Sequence, residues 1–300
     1  MMTQVYTMCL LYKDTKMRKI TAMMSNDIKD AHGDIMHIGI LRNMKEQTNN
    51  KIIPSYREHD FRNPPIARVV NSFILSKNKN NYLYGEIEFF EIDDINKLNL
   101  GKNIKNKNIP LHTSNGKEIL VSYDKSYIDA GLVDDVKALQ STISEFSDVG
   151  CELKKSIEPI SALMIIAMCV GSNFLSGFLS KPGSDFWDLL VSLIKKNTKS
   201  KGDKLYHFCF NIDNKLEVMI IFSNPTPEDI FNALDKEKGI LEDFVLEYKK
   251  DNPKVVRITF EYCDGAFVHQ YSVYKDGTPF DIHDINKYIK IIENVARRTN

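Results

Sequence analysis

The chain has 300 residues, 43% of them apolar and 27% charged, and its forty basic residues are balanced by forty acidic ones. These proportions belong to a globular chain with room for two ordinary domains or one large one, and they exclude wholesale disorder. A nucleic-acid binder usually carries a basic excess on at least one face, so neutrality argues against that class and no nucleic-acid partner is expected.

Along the chain, Val5 to Leu11 and Arg18 to Met24 read as two opening strands. The Asn/Asp/Gly-rich stretch from Ser25 to Asp34 is turn chemistry. A short helical piece follows around Ile40 to Gln47. Ile66 to Leu75, rich in Val, Ile and Phe, and the alternating Tyr82 to Glu91 are strands, with a Lys/Asn hairpin tip between them. Residues 92–117 are polar and low in complexity, which predicts a long loop. Glu118 to Tyr123 is another strand, and Val133 to Phe146 has apolar residues at helical spacing. This first block suits a small, mostly antiparallel barrel or sandwich.

The character changes near Gly150. Ile160 to Ser180 is almost uncharged and strongly apolar. Such a stretch can just span a bilayer, which would make the chain membrane-associated. The break at Gly171-Ser172-Asn173 and the missing aromatic belt favour instead a buried or interface hairpin of helices. Ser184 then caps an amphipathic helix with Phe186, Trp187, Leu190 and Ile194 on one face and Lys195-Lys196 at its end. The remainder reads as a small α+β module of order β-β-α-β-β-α. Its strands are Leu205–Ile212, Leu216–Phe222, Val255–Tyr262 and Phe267–Tyr274. Thr226, Pro227 and Asp229 open its first helix in capping-box fashion, with a pause expected at Gly239. Asp264-Gly265 signals a hairpin, and Ile282 to Ala296 is a closing helix. The fold class is therefore α+β, with expected divisions at 1–150, 151–200 and 201–300.

The five cysteines, Cys9, Cys151, Cys169, Cys209 and Cys263, are scattered and form no CxxC pair, so they read as reduced core thiols. With no secretory pattern at the N-terminus, a cytoplasmic location is expected. The sequence lacks a phosphate loop, a dinucleotide fingerprint, HExxH and GxSxG. Seven dispersed histidines make no metal cluster, and His207, His269 and His283 read as ordinary strand or surface residues. No cofactor and no metal are expected.

Three segments carry a resemblance. Ser25 to Ile35 contains Asp30-Ala31-His32-Gly33-Asp34; Glu58-His59-Asp60 precedes Pro64-Pro65-Ile66-Ala67-Arg68-Val69; and Leu83-Tyr84-Gly85-Glu86-Ile87-Glu88 follows. In order and spacing these resemble the phage prohead (capsid-maturation) protease family, over residues 18–91 and more loosely to 128. The resemblance implies an assemblin-like β-barrel serine protease domain within residues 1–150. His59 would be its general base and Ser122 its nucleophile, with Ser126 as second choice. A serine hydroxyl is a poor nucleophile until an imidazole takes its proton, which is why the chemistry needs the pair. The sequence departs from the family's serine segment: Val121-Ser122-Tyr123-Asp124-Lys125-Ser126 stands in its place, and Ala67 replaces a glycine. Three functions follow from this reading. One is a serine peptidase acting on itself or a partner protein. The second is an inactive protease-like binding or sensing module, its output provided by residues 160–180 through membrane contact or oligomerisation. The third is a phage or prophage assembly factor. Assemblin-like folds often pair, so a homodimer is among the expected partners.

Overall fold

The computed structural model describes residues 19–29, 35–57, 60–90, 107–114, 118–124, 133–143, 147–152, 163–180, 184–197 and 204–298. The expected strand at Val5–Leu11, the Asp30–Asp34 turn and most of the 92–117 loop lie outside these residues. The chain divides into two units. One takes the chain up to Pro110 and resumes at Val273; the other is Leu111–Ser272. This differs from the divisions expected at 150 and 200.

The first unit contains a four-stranded antiparallel sheet of order β1-β4-β3-β2, formed by β1 (Lys19–Asn26), β2 (Ile53–Ser55), β3 (Ala67–Lys77) and β4 (Asn80–Phe89). It is an open sheet, not the expected barrel. β2 supplies only three residues and pairs only with Ala67 to Val69, so no continuous ladder of described strands runs round to close it. Asn78 and Lys79, both at positive φ (52° and 66°), make the two-residue turn between β3 and β4. One sheet face carries Ala67 and Val69 of β3 opposite Phe89 and Ile87 of β4, then Ser72 and Ile74 opposite Gly85 and Leu83. Helix α1 (Ile38–Asn50) lies over the Ser72 end, where Thr48 Oγ1 and Ser72 Oγ are 2.5 Å apart. Helix α7 (Ile285–Arg298) covers the other end, packing Tyr288 and Ile291 on Ile66 and Ala67. The buried Tyr288 hydroxyl donates to Pro65 O at 2.7 Å, and burial pushes that phenol's pKa above its ordinary value.

The second sheet has the order β12-β11-β10-β9-β8-β7-β5-β6. Its strands are β5 (Ile119–Asp124), β6 (Ser147–Glu152), β7 (Leu163–Cys169), β8 (Leu205–Ile212), β9 (Leu216–Ser223), β10 (Val255–Cys263), β11 (Ala266–Tyr274) and β12 (Pro279–Phe280). It is mixed: β5 with β6, β7 with β8 and β9 with β10 run parallel, while β5 with β7 and β8 with β9 run antiparallel. After residue 204 the expected strands and helices follow in order, with one addition, the short β12 before the last helix, and the Asp264-Gly265 turn has both residues at positive φ.

The apolar 160–180 stretch is a correction. Leu163–Cys169 is a strand paired on both sides, and among the described residues of the stretch only Phe174–Leu179 is helical (α3). An interior strand buried on both faces reads as a continuous apolar run, the same signal that a buried helix gives. No helix among the described residues is long and apolar enough to cross a membrane. Phe174 and Phe178 of α3 pack on Phe210 of β8, with centroids 5.3 and 5.4 Å apart. Glu242 of α6 (Lys238–Asp251) accepts from the N–H groups of Leu175 and Ser176, satisfying donors the short helix leaves open. Helices α2 (Val133–Ile143) and α4 (Ser184–Asn197) are joined by Lys196 Nζ donating to Asp135 at 2.6 Å. Of the described thiols, Cys169 and Cys209 are buried, as expected of core cysteines, whereas Cys263 is exposed.

Candidate functional site

Beyond Val69, the edge of β3 that faces away from β4 has no neighbouring strand among the described residues. The turn at Asn78-Lys79 fixes which backbone groups point there. Lys77 and Asn80 flank a two-residue turn, so they bond each other, and along an antiparallel pair alternate residues then turn outward: Ser76, Ile74 and Ser72. Side chains occupy the far end of this row. Lys107 Nζ donates to Val70 O at 2.7 Å. Asn49 of α1 then reproduces a whole β rung with its amide: Ser72 N–H donates to Asn49 Oδ1 at 2.7 Å, and Asn49 Nδ2 donates to Ser72 O at 3.1 Å.

The next two positions, Ile74 and Ser76, border a groove of about 620 Å³ whose opposite wall is α1, with Arg42, Lys45, Glu46 and Asn49. Arg42 and Lys45 are exposed and paired with no carboxylate among the described residues. Among the described residues the site therefore combines an open backbone edge, a floor that includes Ile74 and a wall with a cationic excess.

Of the residues expected to be catalytic, His59 and Ser126 lie outside the described residues. Ser122 lies in the interior of β5, opposite Gly150 of β6 and Met164 of β7, and is only 4% exposed. The register continues from Met164 to His207 of β8. Ser122 and His207 thus share a sheet face, two strand spacings or about 10 Å apart, with Met164 between them. Asp60, which follows His59, has its carboxylate occupied: it accepts from Arg62 N, Nε and Nη2 and from Asn63 Nδ2, at 2.9 to 3.0 Å.

On the same face of the second sheet, Asn211, Glu217 and Arg257 sit side by side on adjacent strands β8, β9 and β10. Arg257 Nε donates to Glu217 Oε1, and the backbone N–H of His112 donates to Oε2 at 2.6 Å. His112 Nδ1 stands 2.8 Å from the same oxygen, and because a carboxylate only accepts, that nitrogen carries the proton. Asn211 Nδ2 donates to His112 O at 2.8 Å. Burial alone would raise the Glu217 pKa, but the charges of Arg257 and His112 and the bonds from His112 hold it well below the ordinary carboxylate range. Both oxygens are engaged and the side chain is fully buried, so this carboxylate anchors His112 to the sheet. Neither this cluster nor the groove was singled out by sequence reasoning. A visible signal existed for the cluster: Glu217 is the one charge in its otherwise apolar strand, and Arg257 interrupts the apolar run that opens β10.

Compared with family models, curated proteins and solved structures, the chain matches none.

Proposed function

We propose that this chain is a non-catalytic recognition module, a protease-like scaffold that binds a polypeptide rather than cleaving one. The observation that carries this reading is the burial of Ser122 inside a paired strand. A nucleophile must meet the carbonyl it attacks and stand within hydrogen-bond reach of its base, and a hydroxyl 4% exposed at the centre of a sheet is closed to a peptide. Among the described residues, an accessible concavity lies elsewhere, beside β3, and its open backbone edge and polar wall suit binding and not bond cleavage. Resemblance to the prohead proteases then bears on ancestry, since a fold does not carry its function with it.

The test is labelling of the purified chain with a fluorophosphonate, beside Ser122→Ala, Ser126→Ala and His59→Ala. No labelling of the folded chain is the expected result. Labelling abolished by both Ser122→Ala and His59→Ala would replace this reading with a serine peptidase of the prohead type, with His59 as base and Ser122 as nucleophile.

A further inference from the structure

The geometry points to a specific occupant for the groove: an extended peptide of a partner protein, with acidic residues at every second position, added as a strand to the free edge of β3. This inference rests on the recognition reading above and names its ligand class.

Three observations carry it. First, the edge already binds an amide group at the adjacent rung. Asn49 satisfies both Ser72 N–H and Ser72 C=O with its side-chain amide, where the peptide group of a neighbouring strand would sit. Ile74 and Ser76 continue that row outward and are followed by the exposed hairpin tip. Their two rungs are about 7 Å apart, room for a segment of about four residues making main-chain bonds of the strand-addition kind.

Second, the groove sets an alternation. A strand laid there points every other side chain toward the α1 layer, where Arg42 and Lys45 outnumber Glu46. Lys77 and Lys79 at the tip, both exposed, add to the cationic excess. Acidic side chains at alternate positions complement that wall, and charge of this kind steers encounter and fixes register.

Third, the site is built on held elements. α1 is tied to β3 through Thr48, Ser72 and Asn49. At the far side of the hairpin, Asp27 accepts from Asn81 N and Nδ2 while Ser76 Oγ donates to Asn81 Oδ1. The edge is therefore arranged before any ligand arrives, which lowers the ordering cost of binding.

The experiment uses the full chain, labelled with nitrogen-15, and a dye-labelled peptide of alternating glutamate and valine. Two controls accompany it: the lysine-for-glutamate counterpart, and a copy N-methylated at alternate backbone amides. Binding is read by anisotropy and its place by amide shifts. The acidic peptide is expected to bind and to move the amides of Ile74 and Ser76, and the other two peptides to bind at least about tenfold more weakly. Arg42→Glu with Lys45→Glu, both exposed and outside the core, should weaken the acidic peptide by at least about tenfold while the circular dichroism stays unchanged. Equal binding of the lysine or N-methylated peptide, or no binding of the acidic peptide at millimolar concentration, overturns the proposal. If the peptide binds but shifts fall elsewhere, recognition stands and this groove does not. If Ile74 and Ser76 shift while fluorophosphonate labels Ser122, the groove stands and the non-catalytic reading falls.

Discussion

Glu217 is fully buried and yet ionised, because Arg257 and His112 supply more than burial removes. The consequence for stability has a definite sign. A carboxyl whose folded pKa is depressed contributes its full stabilisation above the unfolded value of about 4.3 and loses it as the pH falls toward the folded value. Glu217→Gln should therefore flatten the acid limb of the stability curve below about pH 5. It should also cost about 3–5 kcal/mol near neutrality by leaving Arg257 buried without its partner. Urea unfolding of both proteins across that range checks it; an unchanged pH slope would remove Glu217 from this role. The first unit repeats the arrangement. Arg68, 2% exposed, stands directly across from Glu88, with Nε to Oε2 at 3.2 Å, and its Nη1 also donates to Asp276 O at 2.8 Å. Sequence reasoning used Arg68 only as part of a family motif. Its partner at Asp276 lies 208 positions away, and pairings at such separation leave no local pattern.

At the scale of single elements, local chemistry was readable where it is local. Thr226 Oγ1 accepts from Asp229 N–H, and the Asp229 carboxylate accepts from Thr226 N–H at 2.7 Å, the capping box that the sequence spells out in α5 (Pro227–Phe231). Thr226→Ala should lower stability by about 1 kcal/mol, and Thr226→Ser should recover most of it. Thermal melts of the two variants decide this; equal melting temperatures would show that the cap carries no weight. The pause expected at Gly239 falls earlier, at the π-helical turn Asn232–Lys236, where Glu237 N–H reaches Asn232 O at 2.9 Å. Glycine signals flexibility, but here Gly239 sits inside α6 with open space around it. The β7 strand was not legible as a strand. Its burial on both faces erases the alternation that distinguishes strand from helix, and only its partners, β5 and β8, settle the matter. Likewise, nothing near Ile119–Asp124 announces that it joins a different sheet from β1 to β4.

At the scale of the whole molecule, the first unit is assembled from two distant stretches of chain. Ile109 N–H donates to Lys275 O at 2.8 Å, and Gly277, at φ 85°, has Ile52 and Ile109 where a Cβ would reach. Tyr288 and Ile291 complete the apolar cluster on Ile66 and Ala67. A chain ended after Ser272 should therefore lose order in β1 to β4 and become sensitive to limited proteolysis between Lys19 and Phe89. Tyr288→Phe, which leaves Pro65 O without its donor, should do less, about 1–3 kcal/mol. Peptide mapping of the cleaved products tests the first expectation, and protection equal to that of the full chain would refute it. A division of this kind cannot be drawn as cuts along a sequence, which is why boundaries placed at changes of composition did not find it.

Synthesis on the ribosome meets that arrangement in an unfavourable order. Pro65 leaves the exit tunnel 223 residues before Tyr288, which will bond to it. At about 5–20 residues per second this is a wait on the order of ten to forty-five seconds. Throughout it, Ile66, Ala67, Ile87 and Phe89 have no α7 to cover them. Nascent chains should thus engage holding chaperones through β1 to β4 and release them only once α7 has been made.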